Sequence, residues 1–140
     1  MRLRELPTRL ATGAYILHSG IQKRRGTPEM AQGMHGMASG AYPFLGGMEP
    51  TTFLRRLSYA EMAVGGLLLA PFVPTAVAGA ALTGFSGGLV TMYLRTPALR
   101  KPGSIWPSQQ GTAISKDSWM LGIGLGLLAD ALVDRRTGRD

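Results

Sequence analysis

Glu61 is the residue of this sequence whose setting most needs an explanation. Beyond it, from Met62 to Leu94, run 33 residues without an Asp, Glu, Lys, Arg or His. A carboxylate in such surroundings is either proton-active or ligand-binding, or it is a hydrogen-bonded or ion-paired group that fixes packing. At the centre of a spanning helix it costs roughly 2.5–3.5 kcal/mol, and each neighbouring leucine returns only about 0.3–0.6 kcal/mol. It must therefore face inward, and His18, Arg9 and Tyr15 are its candidate partners. His18 offers a proton shuttle or an axial haem ligand, but the second ligand of a b-type haem would have to be His35, which lies in a connection. Met30, Met34 and Met37, with His35, offer soft donors for Cu(I), or else an apolar helix face. Asp130 and Asp134 share a helical face and could pair for acid–base work or a metal. The alternative is an Asp134 solvated beside Arg135 and Arg136, with Asp130 hydrogen-bonded.

No complete catalytic set accompanies these residues. There is no Ser/His/Asp combination and no phosphate loop, and Gly122-Ile123-Gly124-Leu125-Gly126 follows no strand and misplaces its third glycine for a dinucleotide fingerprint. Without cysteine, disulfides, thiol redox chemistry, Fe–S clusters and Cys-based zinc sites are excluded.

The elements that must position these groups are apolar helices. Only 16% of the residues are charged, against about 25% in average globular proteins. An uninterrupted helix over the uncharged run would measure about 50 Å, well beyond a hydrocarbon core of about 30 Å. Pro71-Phe72-Val73-Pro74 breaks it instead into a hairpin, with helices over residues 53–70 and 75–94. A first helix over 7–22 begins with Pro7 in its first turn, and a last one over 117–133 carries Trp119 near its start as an interfacial anchor. The N-terminus has the outline of a signal peptide, but Glu5, Pro7 and His18 interrupt it and no small-x-small site follows, so it reads as a retained helix. Between the first two helices the Met- and Gly-rich connection places Met30, Met34 and Met37 at helical spacing, which predicts a short amphipathic helix at the interface. Gly84-x-x-x-Gly88 and Gly122-x-x-x-Gly126 are the candidate helix-packing positions.

Charge distribution selects the partner. The net charge of +7 would suit nucleic acid, but Arg2, Arg4, Lys23, Arg24, Arg25, Arg55, Arg56, Arg95, Arg100, Lys101, Lys116, Arg135 and Arg136 sit at the ends of apolar segments or between them. That is the placement of anchors facing lipid head groups, without the interleaved aromatics of a nucleic-acid surface. Most of these cations fall in the two long connections, which favours the cytoplasmic side for them.

Two segments resemble the DoxX-like family of small four-helix bacterial membrane proteins. Tyr15-Ile16-Leu17-His18-Ser19-Gly20-Ile21-Gln22-Lys23 looks like that family's apolar stretch ending in Gly-x-x-Lys, and Ala60-Glu61-Met62-Ala63-Val64-Gly65-Gly66-Leu67-Leu68-Leu69 is similar to its Glu-x-x-x-Gly-Gly-Leu-Leu-Leu pattern. Many members place histidine directly before the glycine, where this chain has Ser19. The resemblance carries over Gly20, Lys23, Glu61, Gly65 and Gly66 as family-pattern positions and assigns none of them chemistry. It implies an all-α integral membrane four-helix bundle of the bacterial inner membrane, multi-pass, in a family some of whose members look like subunits of quinone-reducing oxidoreductases. The expectation is thus a non-catalytic subunit or accessory protein of a redox or envelope complex, with lipid and other membrane subunits or copies of itself as partners and with no cofactor. The alternatives are a quinone- or proton-active component using Glu61 and His18, and a small lipid or ion carrier.

Overall fold

A computed structural model describes residues 2–96, 99–108 and 117–138. Pro97 and Lys116 of the last connection lie outside the described residues. Among the described residues five α-helices follow one another: α1 (Leu6–Arg24), α2 (Pro28–Ala41), α3 (Pro50–Leu69), α4 (Thr75–Arg95) and α5 (Asp117–Thr137), with 3-10 turns at Leu3–Glu5 and Pro43–Gly47. No strand occurs among the described residues; a single bridge pairs Arg100 with Pro107.

Proline and short polar side chains set the boundaries. Pro7, Pro28 and Pro50 each stand in the first turn of a helix, where the missing N–H has no intrahelical partner to lose. Thr27 caps α2 by accepting a hydrogen bond from the Met30 amide at 3.2 Å. α3 stops because Pro71 forces Ala70 into extended backbone, with ψ 117°. α4 restarts after Pro74, whose carbonyl accepts from the Val77 and Ala78 amides. The hairpin expected from the prolines is therefore present.

The long helices pack as two antiparallel pairs, α1 on α3 and α4 on α5, joined through the α3–α4 hairpin. Glycines set the distance in both. A Cβ on Gly65 would lie 2.7 Å from the Leu17 amide nitrogen, and one on Gly20 2.9 Å from both the Met62 amide nitrogen and the Ser58 carbonyl oxygen. In the other pair a Cβ on Gly79 would meet the Gly124 carbonyl oxygen at 3.1 Å, and one on Gly124 the Thr83 amide nitrogen at 2.8 Å. Such approach maximises backbone dispersion contacts. Ile16, Val64, Leu68, Ala78, Leu82 and Leu127 fill the space where the pairs meet.

Gly84, Gly88, Gly122 and Gly126 do not carry this contact, and a Cβ on any of them would meet nothing within 4 Å. The inward face of α4 is the row Ala78, Leu82, Ser86, which turns Gly84 and Gly88 away. α5 presents Gly124 and Leu127, and so turns Gly122 and Gly126 away. Three-residue spacing puts two glycines on one face without saying which face is buried. Gly66 is likewise open.

α2 is the helix expected in the Met-rich connection, but alanines carry its packing: Ala31, Ala38 and Ala41 are buried, while Met30 is exposed. Its C-terminus is tied down by Tyr42, whose hydroxyl donates to the Gly88 carbonyl at 2.8 Å, and by Arg95, which donates to the Ala41 carbonyl at 3.2 Å and lies over the Tyr42 ring.

Among the described residues only α4 is long and apolar enough to cross a membrane. Its 21 residues rise about 31 Å, close to the thickness of a hydrocarbon core. α1 carries Arg9, Lys23 and Arg24; α3 carries Arg55, Arg56 and Glu61; α5 carries Asp117, Asp130, Asp134, Arg135 and Arg136. These charges leave the other three long helices short of the apolar composition that four independent spans would have.

The same substitution is expected to act with opposite sign at two glycines. Gly65→Ala drives a methyl group into the α1 backbone and should lower stability by about 1–3 kcal/mol. Gly122→Ala enters open space and should leave stability unchanged or raise it by up to about 1 kcal/mol through helix propensity. Thermal unfolding followed by circular dichroism measures both.

Candidate functional site

The sequence draws attention to Glu61, and the structure puts it in an ion pair between α1 and α3. Glu61 is 5% exposed, and the Lys23 ammonium donates to both its oxygens, at 2.9 and 3.0 Å. Lys23 also donates to the Ser19 hydroxyl one turn earlier, at 2.8 Å. An ammonium has three N–H groups, and these three acceptors use them all. Gly20 and Gly65 allow the pair to form, because the backbone approach at those glycines brings the last turn of α1 level with Glu61. Glu61 thus lies level with the last turn of α1, near Arg24, which donates to the Tyr59 hydroxyl at 3.2 Å.

The partners expected for Glu61 lie elsewhere. His18 is on the exposed face of α1 and Tyr15 is half-exposed, so Glu61 and His18 do not form a joint site. Arg9 is 0% exposed and caps the end of α3. One guanidinium nitrogen donates to the carbonyls of Leu67 (2.9 Å) and Ala70 (3.1 Å), Nε to Leu68 (2.9 Å), and the other terminal nitrogen to Val73 (3.2 Å). In a continuing helix the Leu67 and Ala70 carbonyls would be served by the amides of residues 71 and 74, and both are proline. Arg9 supplies the donors that the two prolines lack. Glu5, buried beside it at 4.0 Å, gives the countercharge and accepts from the Thr75 hydroxyl at 2.5 Å. This arrangement was readable in part: a hairpin with prolines four residues after two helical carbonyls needs a polyvalent donor.

A second cluster closes the same end of the bundle. Asp134 is buried and paired with Arg2 and Arg4, and Arg4 also bonds Asp130 at 3.1 Å. Asp134 is thus not solvated beside Arg135 and Arg136; the chain's N-terminal arginines return to it from across the bundle. Oxygens of Glu5, Asp130 and Asp134 lie within 4.8 Å of one another, the spacing of a cation site, but two guanidinium groups already supply the positive charge.

Two of the soft donors of α2 have protein partners. His35 Nε2 donates to the Leu45 carbonyl at 2.8 Å and its ring meets Phe53 edge-on at 5.6 Å. Met37 packs against a small core of Ala38, Ala41 and Met92, and Met30 points outward.

No family model, curated protein or solved structure matches the chain. The local geometry therefore carries the functional argument.

One outcome is expected. Lys23→Met leaves Glu61 buried without a partner and should cost about 3–5 kcal/mol, most of which the double variant Lys23→Met/Glu61→Leu should restore; a double-mutant cycle on unfolding free energies reads the coupling.

Proposed function

We propose that the chain is a DoxX-like four-span protein of the bacterial inner membrane, acting as a non-catalytic accessory subunit of a membrane complex. One observation carries the reading: the charged groups buried in the bundle are matched there by internal partners, while many apolar side chains face outward. Arg9, Glu61 and Asp134 are buried with partners, Val77, Leu125, Leu132, Val133 and Trp119 are exposed, and Arg55, Arg56, Arg135 and Arg136 stay on the outer surface. Buried charge is uncommon in a protein surrounded by water. A span with charged residues in lipid requires each buried charge to be satisfied within the protein. α1, α3 and α5 would then cross as partners of α4, their buried charges neutralised by Lys23–Glu61, Arg9 on the α3 carbonyls, and Arg4 on Asp134.

The rival redox reading, with a quinone at Glu61 and His18, is poorly supported by the same geometry. Both Glu61 oxygens are taken by Lys23, and His18 faces away. An ion pair with every donor engaged fixes the α1–α3 register, which is the role expected of a structural pair.

Membranes carrying the tagged chain should retain it through alkaline carbonate extraction, and the chain should migrate on blue-native gels with a larger assembly. Release by carbonate would refute the membrane reading; retention with migration as a lone chain would refute the subunit reading. Glu61→Gln should leave quinone reduction by the same membranes unchanged.

A further inference from the structure

At the end of the bundle away from Arg9, α4, the following hairpin and α5 border a cleft of about 570 Å³. That size falls within the range of small-molecule sites, about 300–1,000 Å³. Val90, Tyr93 and Leu94 form one wall, Ile105 and Trp106 the second, and Trp119 the third. The hairpin wall is held in place: the Tyr93 hydroxyl donates to the Ile105 carbonyl at 2.7 Å, the Lys101 amide to the Trp106 carbonyl at 2.8 Å, and Leu99 is buried beneath. Yet Trp106 is 69% exposed and Trp119 76%, so two large indoles stand at the cleft with most of their surface uncovered.

The charge beside this wall is positive. Arg100 bridges to Pro107, which lines the cleft, and Lys101 is exposed on the adjoining turn. Arg100 Nε is buried without a hydrogen-bond partner among the described residues. An apolar, tryptophan-lined slot beside two cations matches an amphiphile with a hydrocarbon chain and an anionic head. Indoles favour the boundary between acyl chain and head group, and Lys and Arg next to it attract anionic lipid.

We infer that this cleft binds one anionic phospholipid, its acyl chain between Trp106 and Trp119 and its phosphate beside Arg100 and Lys101. The inference rests on the membrane reading above, and the test separates the two. Trp106 and Trp119 are the only tryptophans in the chain, so intrinsic fluorescence reports on the cleft alone. The protein is reconstituted in phosphatidylcholine vesicles containing increasing fractions of brominated phosphatidylglycerol or, in parallel, of brominated phosphatidylcholine.

Brominated phosphatidylglycerol should quench at a much lower mole fraction. Lys101→Gln and Arg100→Gln should each raise the half-quenching fraction roughly fivefold. Val90→Phe, which narrows the cleft without touching charge, should weaken quenching by both lipids. Equal quenching by the two lipids, or curves that ignore Lys101→Gln, would overturn the site, since contact with bulk lipid or a neutral amphiphile would account for them. Flotation of the protein with the vesicles reads the membrane reading separately: protein that does not float overturns both, whereas protein that floats without lipid preference overturns only the site.

Discussion

The bundle depends on one guanidinium. Arg9 sits with no exposed surface at the point where α1, the end of α3 and the start of α4 meet, and it bonds four carbonyls of the segment Leu67–Val73. The double proline that turns the chain would otherwise leave helix-end carbonyls buried and unserved, at a cost of roughly 1–3 kcal/mol each. A lysine could not replace it, because three donors on one nitrogen cannot span carbonyls that diverge around a turn, whereas the planar fork of arginine can. Glu5 completes the arrangement by balancing the charge and gripping Thr75. The tight hairpin, the register of α1 and the position of the N-terminal turn are three aspects of a single interaction.

Below that clamp, packing is governed by the absence of side chains. Gly20 and Gly65 bring two backbones to within contact distance, and this proximity lets Lys23 reach Glu61 with both oxygens in range. The pair and the glycines specify each other: a methyl group at either glycine would move the helices apart by more than the hydrogen bonds tolerate. Arg9 at one end and Lys23–Glu61 at the other fix α1 against α3 at two depths, so sliding by a helical turn would break both. Polar groups thus set the register, and apolar groups fill the volume between them.

What was legible in the sequence was mostly local. Pro71 and Pro74 announced the hairpin, Pro7 a helix start, and the spacing of Met30, Met34 and Met37 a helix in the connection, because each signal acts through the backbone of its own neighbours. What was not legible depended on register between distant segments. The partner of Glu61 is Lys23 rather than His18 because the glycines bring the end of α1 to that depth, and nothing within α3 encodes it. Asp134 meets Arg2 and Arg4 from the opposite terminus for the same reason. Gly84, Gly88, Gly122 and Gly126 are not the packing positions their spacing suggests, because which face is buried is decided by Ala78, Leu82 and Leu127. Composition also overstated the apolar character of α1, α3 and α5, since the charges that set them apart from α4 lie within the helices and not only at their ends.

The clamp also imposes an order on biogenesis. Arg9 leaves the ribosome about sixty residues before the carbonyls that will receive it, and until then its guanidinium must remain hydrated, because an unpaired charge does not settle in an apolar medium. On the membrane reading proposed above, α1 would stay at an aqueous boundary through the synthesis of α2 and most of α3, and commit only when Pro71-Phe72-Val73-Pro74 has turned the chain. A translocase acting on the chain would then meet α1 as a waiting amphiphile and not as a finished span.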